Sequence, residues 1–192
     1  MQKFPLVLDL ETKHTFREFD DPQKLGISVV GIYDYADRQG YIYREAELTK
    51  LFSKLEKASF VIGYNSRSFD LAVLQAYYPG DVTHLPQFDI LEDIKRIIGK
   101  RIGLNDVAFA TLNEKKTGHG LMAIDYYKEG KWDELEKYCL SDVMVTKRLL
   151  EYGISHEKIF YMNETGKVPI HVNWKRYMEE AGADETALTL PF

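Results

Sequence analysis

The chain has 192 residues, 45% of them hydrophobic and 13% aromatic, which is long enough for one well-packed domain and short for two. Its net charge of −5 argues against a protein that wraps duplex nucleic acid through its phosphates, yet it leaves room for an acidic metal site. A single cysteine, Cys139, excludes an internal disulfide framework and a multi-cysteine metal knuckle.

With no secretory apolar region and no long uncharged apolar run, the expectation is a soluble cytoplasmic protein with no membrane partner. Phe4 to Glu11 reads as a first strand, with Leu6, Leu8 and Leu10 on one face and Val7, Asp9 and Glu11 on the other. Residues 25–35 are apolar enough for a central strand. Residues 39–43 follow a turn at Asp37 and Gly40, which predicts antiparallel pairing. Helical spacing of Leu48, Leu51, Phe52 and Leu55 predicts a helix from Glu45 to Lys57.

Residues 59–64 form another short buried strand, and the helix after it runs to about Tyr77, where Pro79-Gly80 stops it. Helical pieces follow near 89–98, 104–112 and 120–128. A longer helix is predicted from Lys131 to about Tyr152, ending at Gly153. The tail from Lys158 to Val172 reads as a hairpin around Glu164-Thr165-Gly166, with the charged stretch KRYMEEAG after it. Strands first and helices later, within residues 1–192 as one domain, indicate an α/β fold with a central mixed sheet flanked by helices.

Certain acids stand out against this background. Asp9 and Glu11 lie two apart on a strand, so both leave one face of an otherwise apolar run. A D-x-E pair is ordinarily a solvated sheet edge, but this strand reads as internal, where carboxylates need donors or metal. Asp70 falls where a strand hands over to a helix. It could favour that helix's positive end while Ser66 or Ser68 caps it, or it could stand beside the strand's C-terminal mouth, where α/β sites form. Tyr138 and Asp142 are four apart, on one face at the margin of the apolar stripe of the long helix.

Taken in order, D-L-E, N-S-R-S-F-D and Y-C-L-S-D resemble the three motifs of the DEDDy superfamily, the proofreading-type 3′→5′ exonucleases of the ribonuclease-H-like (DnaQ-like) fold. The resemblance spans about residues 5 to 152. It implies metal ligation by Asp9, Glu11, Asp70 and Asp142, with Tyr138 orienting the attacking water. Asn65 and Phe69 match the asparagine and aromatic of the middle motif. Thr12 matches a common neighbour of the first motif, while Lys13 stands where a small residue is frequent. FDI at 88–90 and GLNDVAFATL at 103–112 resemble the branch near family-B polymerase exonuclease domains and YprB-like proteins.

The implied activity is hydrolysis of DNA or RNA from the 3′ end, releasing nucleoside 5′-monophosphates with two divalent cations, Mg²⁺ or Mn²⁺. Such a pair of hard cations needs several oxygen ligands. Leu10, Thr12, Asn65 and Phe69 are the expected substrate neighbours. The basic run KRIIGKR, with Lys95, Arg96, Lys100 and Arg101, is a candidate for phosphate contacts, and EKK at 114–116 lies nearby in sequence. Overall acidity points to a single-stranded or frayed 3′ end as partner. A polymerase or helicase activity would have to come from another chain.

The alternatives are a non-catalytic nucleic-acid- or protein-binding module on the same scaffold, and an endonuclease or transposase-like enzyme. Retention of all four acids and the tyrosine favours the exonuclease. The five histidines, His14, His84, His119, His156 and His171, lack zinc-site spacing, although His14 lies close after Glu11. Cys139 reads as a packed residue of the helix stripe, and Gly118-His119-Gly120 is not a phosphate-binding loop.

Overall fold

The computed structural model describes residues 3–114 and 121–178. Lys115, Lys116, the segment Gly118 to Gly120 and the end of KRYMEEAG lie outside the described residues. The sheet has five strands in the order β3-β2-β1-β4-β5. β1 (Leu6–Thr12), β2 (Ile27–Asp34) and β3 (Gln39–Arg44) form an antiparallel meander, and β4 (Val61–Gly63) and β5 (Gln87–Asp89) add in parallel. β1 is therefore the middle strand, and β2 lies beside it. The mixed sheet agrees with the sequence reading. The three-residue β5 was not anticipated as a strand.

Period-two alternation divides the core between the two faces of the sheet. Leu6, Leu8 and Leu10 pack with α1 (Leu48–Leu55) and α2 (Asp70–Leu74). Val7 packs on the opposite face with α3 (Ile90–Ile98) and α6 (Trp132–His156). α4 (Leu104–Leu112) and α5 (Leu121–Lys128) also pack against α6. α2 stops at Leu74, well short of Tyr77, and α6 continues past Gly153 to His156.

Gly153 does not break the helix. It is a packing seat, because a Cβ there would collide with the ring of Trp174. That indole is fully buried, and its Nε1 donates to Asp93 Oδ2 at 2.9 Å. The hairpin of β6 (Lys158–Asn163) and β7 (Gly166–His171) forms as the sequence indicates, as a separate two-stranded sheet. Ile159, Tyr161 and Ile170 bury its inner face against Leu149, Leu150 and Ile94.

Candidate metal centre

Asp9 pairs with Gly31 and Glu11 with Val29 in the β1–β2 ladder, so both acids rise from the middle of the sheet on the α6 side. α6 brings in the third. It crosses the sheet at Gly31, where a Cβ would stand 2.9 Å from Val143 Cγ2 and 3.0 Å from Cys139 Sγ. Only a hydrogen at this position lets the helix approach so closely. Cys139 then reaches the Asp9 carbonyl, its Sγ 3.5 Å from that oxygen. One turn on, the buried Asp142 is set over the two strand acids.

Asp9, Glu11 and Asp142 offer carboxylate oxygens that all lie within 4.8 Å of one another. Three negative groups so close in a half-buried setting repel, and a divalent cation is the natural neutraliser. Their hard oxygen donors suit an ion of the Mg²⁺ or Mn²⁺ kind. The Cys139 thiol lies beneath them. Burial first, then the three acids, pushes its pKa well above the usual value. It is a neutral packing group.

Asp70 stands outside this trio. It begins α2, on the opposite side of the sheet, and its Oδ1 accepts the Leu10 N–H at 2.9 Å. The reason lies in strand length. Leu6 donates to Phe60 on the β4 side, and alternate N–H groups point the same way, but β4 ends at Gly63 before it can serve Leu10. Asp70 satisfies that edge amide between the two strand acids. Burial pushes its pKa up to about 7, against the lowering effect of the Leu10 and Asp70 amides.

The loop before Asp70 is clamped by Asp89. Asp89 Oδ1 accepts from Asn65 N at 3.0 Å and its Oδ2 from Arg67 N at 3.0 Å, while Oδ1 also caps α3 through Leu91 N at 2.9 Å and Glu92 N at 3.2 Å. The clamp holds Asn65 at a φ of +67°, a left-handed conformation that asparagine tolerates better than most residues. Asn65 Oδ1 in turn accepts from Arg101 Nη2 and from Ser68 Oγ.

Beside the trio runs a groove of about 380 Å³, lined by Glu11, Thr12, His14, Phe16, Phe69 and Leu121 among others. Phe16 and Phe69 stand 5.8 Å apart, centroid to centroid, at its wall. Phe16 is 49% exposed and Leu121 61% exposed, so apolar surface is presented to the opening. Tyr138 lies one turn before Asp142. Its ring packs with Val29, Ala123, Leu135 and Cys139, and its hydroxyl oxygen is buried.

Leu10 differs from the other expected substrate neighbours. Its side chain is buried on the far face, so it meets the site through its backbone. The basic run divides. Arg101 joins the Asn65 loop, and Lys100 Nζ sits 4.4 Å from the Tyr161 ring centroid. Arg96 pairs with Asp93, and Lys95 is exposed.

Phe16 and Asp89 were missed by sequence reasoning. Asp89 was visible as FDI immediately before an apolar helix, an N-cap signal. Phe16 had only the cue of an aromatic in the polar stretch following D-L-E.

An antiparallel meander extended by parallel strands, with helices on both faces, defines a ribonuclease-H-like α/β protein, here with a three-carboxylate cluster on its middle strand and last long helix. A family model described as RNase_H superfamily matches residues 6–154, and the chain belongs to that superfamily. No curated protein matches it.

Among solved structures, the chain is similar to the family B DNA polymerase from the hyperthermophilic archaeon Pyrobaculum calidifontis, at 18% identity and a TM-score of 0.59, over 78% of this chain and 24% of that one. It is also similar to Trypanosoma brucei RNase D, at 19% identity and a TM-score of 0.55, over 78% of this chain and 57% of that one. The chain thus spans about a quarter of the polymerase and little more than half of the RNase D chain. Among the described residues no helix is long and apolar enough to cross a membrane.

Proposed function

We propose that this chain is a metal-dependent 3′→5′ exonuclease that trims single-stranded or frayed 3′ ends of DNA or RNA and releases nucleoside 5′-monophosphates. One observation carries the reading: Glu11 belongs both to the carboxylate trio and to the wall of the aromatic groove. A cation site and a pocket of nucleoside-like character therefore share a residue.

Asp9, Glu11 and Asp142 would hold divalent cations, Mg²⁺ or Mn²⁺, with Asp70 as the fourth carboxylate of the DEDDy set. Bound there, the cations would lower the pKa of a water and neutralise charge on the phosphate and the departing 3′ oxygen. Phe69 and Phe16 offer ring faces to the terminal base, and Thr12 lines the same groove. Arg101, joined to Asn65, supplies positive charge at the loop. Tyr138 holds the attacking water in line, because a phenol of unperturbed pKa about 10 is a poor base near neutrality.

The superfamily membership, the polymerase and RNase D likenesses in fold and the D-L-E, N-S-R-S-F-D and Y-C-L-S-D motifs all support this reading. FDI at 88–90 and GLNDVAFATL at 103–112 are the residues on which a place near family-B polymerase exonuclease domains and YprB-like proteins is proposed. A polymerase or helicase partner on another chain is compatible with it. The test incubates purified protein with 5′-labelled single-stranded DNA, RNA and duplex, with chelator, Mg²⁺ or Mn²⁺. A ladder shortening from the 3′ end and lost with chelator is expected. Internal cuts, or no metal-dependent product on any substrate, would overturn the proposal.

A further inference from the structure

The hairpin lies beyond the residues that match the superfamily model, and the catalytic reading gives it no task. Its register places Lys158 opposite His171, Phe160 opposite Pro169 and Met162 opposite Lys167. Since Ile159, Tyr161 and Ile170 are buried inward, alternation turns these six residues outward. Met162 is 50% exposed, and Lys167, Pro169 and His171 are exposed too. The Phe160 ring lies between two cations, with Lys167 Nζ 4.3 Å and Lys158 Nζ 6.0 Å from its centroid. Neither lysine forms an ion pair among the described residues.

We propose that this outward face is a binding surface for single-stranded nucleic acid, separate from the carboxylate cluster. Its chemistry is a partly exposed aromatic flanked by cations on a chain that is acidic overall, which suits unpaired bases joined by phosphates. The nearby acids do not cancel it: Glu157 pairs with Lys175 at 2.6 Å, and Glu164 sits in the turn at the hairpin tip.

The edges argue for use of the face. On β6, Thr111 Oγ1 accepts from Phe160 N at 2.9 Å and donates to Phe160 O at 3.1 Å, so the outer edge is occupied there and the residue is held rigidly. The same bonds show that Phe160 and Pro169 face outward from the pair, so the β7 edge lacks an N–H at Pro169. Strand addition by a protein partner is interrupted at Thr111 on one edge and at Pro169 on the other.

Continuity with the site is also present. Lys100, over the inner face at Tyr161, is next to Arg101, which bonds Asn65 of the site loop. Along α6, Asp142 and His156 are fourteen residues apart, or about 21 Å, so the hairpin contacts nucleotides other than the one at the acids. The inference goes beyond the nuclease reading and does not require that the acids cut.

The test measures fluorescence anisotropy of labelled oligo(dT) of twenty nucleotides in EDTA, at several salt concentrations, with the 192-residue parent and variants. Lys158→Ala/Lys167→Ala should weaken binding and reduce the salt slope by about 1.4, at about 0.7 for each lost single-strand contact. Phe160→Ala should weaken it by about fivefold or more, and Phe160→Tyr should restore it, because stacking depends on a ring face. Heparin, a polyanion without bases, should respond to the lysine change and ignore Phe160→Ala.

Circular dichroism and thermal melts matched to the parent show that each variant is folded. Unchanged affinity and salt slope in the folded lysine variant, or equal affinity of Phe160→Ala and parent for oligo(dT), would overturn the proposal. Because EDTA suppresses metal-dependent cleavage, loss of hairpin binding with an active nuclease and hairpin binding without nuclease activity are separate results.

Discussion

The Leu10 N–H, between Asp9 and Glu11 on the part of the middle strand that β4 no longer covers, donates to Asp70 Oδ1 at 2.9 Å. This bond fixes the fourth acid against the middle strand although it arrives from the other side of the sheet. It also explains how a carboxylate can be buried there: among the described residues, amides rather than a cationic side chain face the carboxylate. With its pKa at about 7, this carboxyl is about half protonated at pH 7 and fully protonated only well below it.

Asp70→Asn keeps an oxygen for the Leu10 amide and removes a charge that burial disfavours. In EDTA the variant should match or exceed the parent in melting temperature at pH 7. The sign follows from the raised pKa. Between pH 4 and 7 the folded parent retains a proton that the unfolded chain has lost, so parent stability falls as pH rises, by about 1.4 kcal/mol per pH unit at most. The variant lacks that slope. Melts of both proteins from pH 4 to 8 check it, and parallel slopes would contradict the buried-acid account. Cleavage by the variant should be lost even where its stability is higher.

Cation binding should be visible without any substrate. Chelated protein given Mn²⁺ at about one hundred times Kd should gain about 2.7 kcal/mol, or about 5–10 °C in melting temperature. Asp9→Asn should abolish most of that shift while leaving the chelated fold intact, because it removes one of three mutually repelling charges. A full shift in Asp9→Asn would place the ion elsewhere.

How much of this was legible depends on which interactions are local. D-L-E could be read because strand alternation is set by covalent geometry, and Tyr138 and Asp142 because a long helix keeps its phase. The placement of Asp70 could not, since it follows from β4 ending at Gly63 while β1 continues. The role of Asp89 was hidden for a similar reason: its partners Asn65 and Arg67 are more than twenty residues away. Gly153 looked like a stop from local propensity, and tertiary packing against Trp174 turned it into a helix-interior residue. β5 is three residues long and carries too little alternation to be distinguished from the helix that follows.

The Gly31 crossing gives a test of how α6 delivers its acid. Gly31→Ala puts a methyl against Val143 and Cys139, and overpacking of this kind costs about 1–3 kcal/mol. Melting temperature should fall by about 2–10 °C, and cleavage should fall further than the unfolded fraction explains, because the helix is lifted from Asp9. Adding Cys139→Ala should recover part of both. An additive double mutant would show that the thiol is not what the methyl meets.

Asp89→Asn replaces two acceptor oxygens by one and leaves the Arg67 amide without its partner. A loss of about 1–3 kcal/mol is expected for a partly buried hydrogen bond to a charged acceptor. Amide hydrogen exchange should accelerate at Asn65 and Arg67, ahead of any change in β1. If protection at those two amides is unaltered, the clamp is not what shapes the loop.

Tyr138→Phe and Asp142→Asn separate positioning from ligation. Both residues lie on one face of α6, one turn apart, but only Asp142 belongs to the trio. Asp142→Asn removes a negative ligand and should weaken the Mn²⁺ titration and turnover together. Tyr138→Phe keeps the ring that packs with Val29, Leu135 and Cys139, so fold, Mn²⁺ affinity and oligonucleotide affinity should persist. Only the hydroxyl is lost, and with it the proposed in-line placement of water, for which a misplacement of about 1 Å can cost about a hundredfold in rate. Single-turnover cleavage at saturating Mn²⁺ isolates that step from binding. A parental rate for Tyr138→Phe under those conditions would make Tyr138 a packing residue of the helix and remove the water-positioning member from the proposed DEDDy set.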